Sequence, residues 1–211
     1  MEVTYINHMG DDNSVVDAAR VSFGKHSGRY TKEQNDKLIK FLAKHKHLSP
    51  FGHAFASFHV KAPIFVARQL VKHQYLRWNE ISRRYVDEEP EFYLPDVWRG
   101  RSEDKKQGSD GVVEDVYYNT FAEDYHAPLY LYRHLLDRGV APEQARMVLP
   151  QSTMTEWYWS GSLDAFANMC KLRCASDSQY ESRVVANQIS ETMGKLFPVS
   201  WKALMQQEGI E

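Results

Sequence analysis

The chain has 211 residues, with 26 Lys and Arg against 28 Asp and Glu, a formal net charge of −2, 43% apolar residues and 13% aromatics. Near-neutral charge excludes a uniformly basic nucleic-acid coat and an acidic solvating tail, and the apolar share suffices for a sizeable core. No basic-then-apolar leader opens the chain, the apolar run near residues 62–67 is too short to span a bilayer, and Cys170 and Cys174 alone build no disulfide framework. The expected setting is therefore the cytoplasm, or a host's cytoplasm if the source is viral.

In chain order, residues 30–45 read as an amphipathic helix capped by Thr31. Residues 55–61 alternate as a strand, and Pro63 suits the first position of a helix over 64–73. Residues 79–86 read as a polar loop running into a short extended segment. The stretch 99–111 has three glycines, much charge and no apolar residue, which predicts a mobile surface loop. One or two helices follow over 113–138, stopped by Gly139, and Pro142 opens a short helix that Pro150 closes. Residues 153–160 are a predicted strand. Ser162 is the expected cap of a helix to Arg173, and Ser178 with Glu181 spell a capping box for a last long helix to about Phe197. Segregated strands and helices specify α+β, a single domain with a mixed or antiparallel sheet packed by long helices.

Chemistry concentrates after Pro63. In the 64–73 helix, Ile64, Val66, Ala67, Leu70 and Val71 lie on one side and Arg68, Gln69, Lys72 and His73 on the other. Its continuation adds Arg77, Asn79, Glu80, Ser82, Arg83, Arg84 and Tyr85, too polar to be buried unpaired. From Lys61 to Arg84 six Lys and Arg face Glu80 alone, whereas twelve acids and four bases occupy 87–124. Guanidinium groups bind phosphate bidentately, amides and hydroxyls read planar heterocycles, and tyrosine offers a stacking face, so this mixture suits an anionic, planar ligand. His45, His47, His53 and His59 lack the spacing of a metal site, and no metal is expected. Glu143 and Arg146 at i and i+3 read as a helical ion pair, Arg173 as a cap on its own helix's carbonyls, and Cys170 with Cys174 as buried reduced thiols. No Rossmann, Walker or nucleophile-elbow pattern occurs.

The run from Phe58 to Tyr85 resembles the flavin-dependent thymidylate synthases, the thymidylate synthase complementing family. Their signature of Arg-His-Arg, seven residues and Ser is matched by Lys72-His73-Gln74, seven residues and Ser82, followed by Arg83-Arg84-Tyr85. His47-x-Ser49-Pro50-Phe51-x-His53 upstream resembles the family, as do Glu143-x-x-Arg146-x-x-Leu149-Pro150 and Asn168–Arg173 with Gln179 and Glu181 downstream. The resemblance implies methylation of dUMP to dTMP, with methylenetetrahydrofolate as carbon donor and FAD reduced by NADPH as hydride source. It implies a homotetramer whose sites draw on several subunits, with no nucleic-acid or membrane partner.

By the same resemblance, Arg173 is the catalytic arginine that polarises the pyrimidine. Gln69, Lys72, Glu80, Ser82, Arg83, Arg84, Arg146 and Arg173 fall on dUMP-binding positions. Ser49, Lys72, His73, Gln74, Asn79, Glu80, Asn168 and Asp177 fall on FAD-binding ones, and His47 lies near the folate and flavin rings. Lys72 keeps the signature arginine's charge without its planar fork, and Gln74 loses a charge. Asp177 stands for a histidine that usually faces the flavin, and Arg83 for a small residue. These changes bear on the flavin contacts more than on the dUMP contacts. Two other readings stand beside this one: a divergent nucleotide-binding relative that has lost flavin chemistry, and a basic nucleic-acid-binding module using 61–84.

Overall fold

The computed structural model of the chain describes residues 1–86, 88–103, 108–114 and 126–206. The strands are β1 (Glu2–Met9), β2 (Phe55–Pro63), β3 (Leu76–Glu80), β4 (Arg99–Arg101), β5 (Ser109–Val112) and β6 (Met154–Ser162). The helices are α1 (Asp12–Arg20), α2 (Lys32–Lys44), α3 (Ile64–Leu70), α4 (His126–Asp137), α5 (Pro142–Ala145), α6 (Leu163–Arg173), α7 (Tyr180–Leu196) and α8 (Pro198–Met205). Strands β1, β2, β6 and β3 form one wholly antiparallel sheet in that order, and β4 with β5 a separate ribbon.

Period-two alternation gives the sheet one apolar face. Ala56, Phe58, Val60 and Ala62 of β2 are buried, and the register sets Phe58 opposite Trp159 and Val60 opposite Trp157 on β6. Trp78 on β3 pairs across from Trp159 and stacks on Trp157 at 4.3 Å. Phe166 of α6 meets Phe58 edge-on at 5.3 Å. Helices α1, α2, α6, α7 and α8 complete the core through Val16, Ile39, Leu163, Ile189 and Trp201, among others. Each such apolar side chain contributes about 1.5–3 kcal/mol on burial. The opposite face of β2 and β6 is polar: Ser160 donates to Ser57 at 2.9 Å and His59 meets Glu156 at 2.9 Å.

Caps fix the helix ends. Thr31 and Gln34 form a reciprocal capping box on α2, as Asp11 and Ser14 do on α1. Both carboxylate oxygens of Asp12 accept from the first turn of α8, Val199 N at 2.9 Å and Ser200 N at 2.8 Å, tying the two ends of the chain together.

Several expectations are corrected. Asn79 and Glu80, expected to open a polar loop over 79–86, instead end an edge strand over 76–80 anchored by Trp78. The 64–73 helix ends at Leu70, and Val71, expected on the apolar side, is 47% exposed. Ser178 and Glu181 form no capping box: Ser178 Oγ donates to Arg173 O at 2.8 Å, and Glu181 pairs with Arg99. Ser162 precedes α6, but its hydroxyl donates to Asp164 rather than capping the backbone. The 99–111 segment carries the β4–β5 ribbon at its two ends, and its centre at 104–107 lies outside the described residues. Of the 113–138 stretch, expected to hold one or two helices, 113 and 114 are not helical, 115–125 lie outside the described residues, and 126–137 form α4.

Candidate functional site

The C-terminal ends of α3 and α6 converge on the start of α7, and residues of 93–99 with Gly108 and Ser109 form the opposite wall. Between them lies a cavity of about 680 Å³. Gln69, Lys72, Arg173, Gln179 and Glu181 supply its polar lining; Phe65, Tyr93, Pro95, Val97 and Trp98 supply its apolar wall. A cavity of this size, with an aromatic side and three cations, Lys72, Arg99 and Arg173, of which Arg99 is paired with Glu181, accepts a planar anionic ligand of nucleotide dimensions.

Arg173, the last residue of α6, does not cap its own helix. Its Nε donates to His73 Nε2 at 3.0 Å. Burial, reinforced by the Arg173 charge, holds His73 down at about 4, so the ring is neutral at physiological pH and accepts at Nε2. With Nε engaged, the remaining guanidinium donors of Arg173 can meet a ligand.

A chain of side-chain hydrogen bonds lines the same wall. Gln69 Nε2 donates to Gln179 Oε1, and Gln179 Nε2 donates to Glu181 Oε2 at 3.1 Å. Ser182 Oγ donates to Gln69 Oε1 at 3.2 Å. Glu181, only 5% exposed, is paired with Arg99, whose Nε donates to Ser109 at 2.9 Å and whose guanidinium lies 4.2 Å from the centre of the Tyr180 ring. The Tyr93 hydroxyl is pushed up to about 12, first by burial and then by the Glu181 charge, and stays protonated.

A second, smaller cavity of about 120 Å³ gathers Glu80, Arg83 and Arg146 with Thr155. Both oxygens of Glu80 are held: Thr155 Oγ1 donates to one at 2.6 Å and Trp78 Nε1 to the other at 3.1 Å. Arg83 donates to Glu88 O at 2.8 Å, and Arg84 Nε donates to Ser82 Oγ at 3.2 Å. Arg146 donates to the backbone oxygen of Glu143 at 3.2 Å, which replaces the carboxylate ion pair expected from their spacing.

The structure thus brings Gln69, Lys72, His73 and Arg173 together, and separately Glu80, Arg83 and Arg146. Ser82 and Arg84 adjoin each other after β3. His47 and Ser49 are exposed beyond the end of α2, where the His45 and His47 rings lie 4.4 and 6.1 Å from Phe41. Gln74 and Asn79 are exposed about β3, Asn168 is exposed on α6, and Asp177 is exposed in the α6–α7 break. The Asp177 carbonyl lies against Gly108, where an added Cβ would sit 3.0 Å from its oxygen. Of the two thiols, Cys170 is buried, which pushes it up, and half-buried Cys174 is drawn down by its hydrogen bond with Cys170.

Arg99, Tyr93, Trp98 and Ser109 were not legible as lining residues. They sit in an acidic stretch without apolar periodicity, and Arg99 and Ser109 reach the cavity because the ribbon is tied to α7 through the Arg99–Glu181 pair. Glu181 carried a signal, its placement with Gln179, but the capping-box pattern misassigned its partner.

Residues 4–199 match the family profile described as Thymidylate synthase complementing protein. A protein of Thermus thermophilus named flavin-dependent thymidylate synthase is 42% identical over 202 residues, covering 95% of this chain and 74% of its own length. One of the same name from Thermosipho melanesiensis is 39% identical over 209 residues, covering 95% and 89% respectively. Among solved structures, a UMP/dUMP methylase, PolB, from Streptomyces cacaoi bound with 5-Br dUMP superposes with a TM-score of 0.85 at 32% identity, over 96% of this chain and 93% of that one.

Proposed function

The chain belongs to the thymidylate synthase complementing protein family, the flavin-dependent thymidylate synthases, and from that premise we propose how its residues serve the reaction. The enzyme is a methyltransferase that converts dUMP to dTMP with the help of a flavin. The observation that carries our assignment is the grouping of Gln69, Lys72 and Arg173 around one cavity, with Arg173 oriented by a neutral His73.

The pyrimidine lies against Arg173. As carbon is added at C5 the ring oxygens gain negative charge, and a guanidinium already aimed by His73 stabilises that charge without reorganising. Gln69 and Lys72 hold the nucleotide beside it. Glu80, Ser82, Arg83, Arg84 and Arg146 bind the remainder of a dUMP, including its phosphate, for which paired arginines are suited. Within one chain Gln69, Lys72 and Arg173 line one cavity, Glu80, Arg83 and Arg146 another, and Ser82 and Arg84 lie outside both, a division that supports sites completed by neighbouring copies in a homotetramer. Ser82 binds and is no nucleophile: its hydroxyl accepts from Arg84 Nε, a cation that cannot take up its proton.

The side chains around α3, β3 and α6 suit an FAD. Lys72 and Gln74 are exposed donors for a diphosphate, while Ser49, Asn79 and Asn168 present hydroxyl and amide groups for a polyol. His73, Glu80 and Asp177 complete that set, with His47 beside the folate and flavin rings. The flavin, when bound and reduced by NADPH, supplies the hydride, and methylenetetrahydrofolate supplies the carbon. We place the enzyme in the cytoplasm; no described helix is long and apolar enough to cross a membrane.

The test is the visible absorption spectrum of the purified protein, recorded without oxygen before and after NADPH and dUMP, followed by assay of dTMP on adding methylenetetrahydrofolate. A flavin band that bleaches, and dTMP formed in proportion to enzyme, is the expected result. A colourless protein that takes up no added FAD overturns the flavin assignment.

A further inference from the structure

We propose that Glu181 is a positioning residue which, through Gln179, fixes the donor–acceptor polarity with which Gln69 meets the nucleotide. The inference rests on the reading that dUMP occupies the larger cavity. Its ground is a property of carboxamides. A glutamine amide can turn over by 180° with little change in shape, exchanging a donor for an acceptor, so a glutamine specifies a ligand only if something selects one of its two orientations.

Here the selection starts at a group that cannot turn. Glu181 is buried, paired with Arg99, and accepts on both oxygens. An ionised carboxylate only accepts, so the Gln179 group facing it must be NH2, at 3.1 Å. The Gln179 oxygen then faces Gln69, which must present its own NH2. The Gln69 oxygen is left toward Ser182, whose hydroxyl donates to it at 3.2 Å. Each orientation follows from the one before. Gln69 retains one N–H and one oxygen lone pair, at fixed places, for a ligand in the cavity it lines.

Arg99 extends the chain outward. It comes from the ribbon, pairs with Glu181, and is steadied by Ser109 and the face of Tyr180. Four side chains from α7, its flank and the ribbon, Glu181, Ser182, Gln179 and Arg99, thus converge on the Gln69 amide of α3. A merely structural tie between ribbon and α7 would need Arg99 and Glu181 alone; the further steps through Gln179 and Ser182 to Gln69 are what the positioning role explains.

The experiment measures dUMP affinity of the flavin-loaded enzyme by calorimetry, and KM and kcat for dTMP formation, in Glu181→Gln, Gln179→Leu, Gln69→Ala and the Glu181→Gln/Gln69→Ala double variant. Glu181→Gln replaces the acceptor by a group that can itself turn over, and Gln179→Leu breaks the relay with the Arg99 pair intact. Each should weaken dUMP binding about tenfold, the scale of one hydrogen bond, with KM rising more than kcat falls. Glu181→Gln should add less than about twofold to the loss already caused by Gln69→Ala. Unchanged dUMP affinity in soluble, folded Gln179→Leu, or losses that multiply in the double variant, would overturn the inference. A wild-type enzyme that binds no dUMP overturns instead the reading on which it rests.

Discussion

Arg173 and His73, 100 residues apart in the chain, meet end to end: Arg173 Nε donates to His73 Nε2 at 3.0 Å. The contact joins the end of α6 to the turn after α3, and it makes each side chain a condition of the other's state. Burial, reinforced by the cation, keeps the ring unprotonated, and the unprotonated ring supplies the lone pair that orients the cation.

That coupling predicts a pH dependence. His73 titrates at about 4 in the folded enzyme against 6.5 unperturbed, through burial first and the Arg173 charge second. Between these values the unfolded chain binds a proton that the folded chain refuses. The stabilisation is therefore complete above pH 6.5, falls as pH drops through the interval, and is gone below 4. Because the ring is only half-buried, we expect about 1–2 kcal/mol rather than the full shift. Urea midpoints at about pH 7.5 and about pH 4.5 should show wild type losing that much more stability than His73→Gln. Equal losses would contradict the assignment.

Replacing Arg173 should separate chemistry from folding. In Arg173→Ala, dTMP formation should fall by about 10³-fold, the scale of losing a preorganised donor to developing charge, while the melting temperature changes little. Arg173→Lys should recover only part, since lysine lacks the planar fork that can hold His73 and a ligand at once. His73, followed by its ring proton shifts, should titrate higher in Arg173→Ala than in wild type. Wild-type turnover in Arg173→Ala would remove the arginine from the mechanism.

How much of this was legible in the sequence depended on how local the signal was. Thr31 with its following amphipathic turns, the alternation of β2 and the Thr–Trp–Tyr run of β6 gave their elements away because each is specified by near neighbours. Strand β3 did not, because an edge strand of five residues needs little apolar surface, and Leu76 and Trp78 alone carry it. Glu181 was misread for the complementary reason: its spacing from Ser178 satisfied a local rule, while its charge was committed to Arg99, 82 residues away. Residues such as Arg173 and Gln69 came from family resemblance. The physical reading of their types reached only an anionic planar ligand, and the hydrogen bonds that orient them are made between elements no spacing rule connects.

The hold on Glu80 gives a prediction for the smaller cavity. Thr155 Oγ1 donates to Glu80 Oε1 at 2.6 Å, and in Thr155→Val that oxygen loses its partner without a change of volume. Stability should fall by about 1 kcal/mol. The KM for dUMP should rise about three- to tenfold, since Glu80 shares its cavity with Arg83 and Arg146 and one loosened carboxylate can collapse onto either cation. An unchanged KM alongside the stability loss would show that Glu80 serves the fold alone.

Gly161 extends the argument from site to sheet. It sits on β6 opposite Leu76, and an added Cβ would press on the Leu76 side chain and lie 3.2 Å from the Tyr75 carbonyl oxygen. The side chain can yield; the backbone has less room. Tyr75 already holds a φ of +64°, a left-handed conformation that costs a non-glycine residue energy. Gly161→Ala should therefore shift β3 away from β6 at its first residue, costing about 1 kcal/mol, or roughly 2–4 °C in melting temperature. The same shift propagates along the strand to Trp78 and Glu80, so dUMP affinity should fall about tenfold, more than the small stability loss alone would suggest. Thermal melts and dUMP calorimetry on the one variant check both halves. A lowered melting temperature with wild-type dUMP affinity would mean that β3 and the smaller cavity move independently.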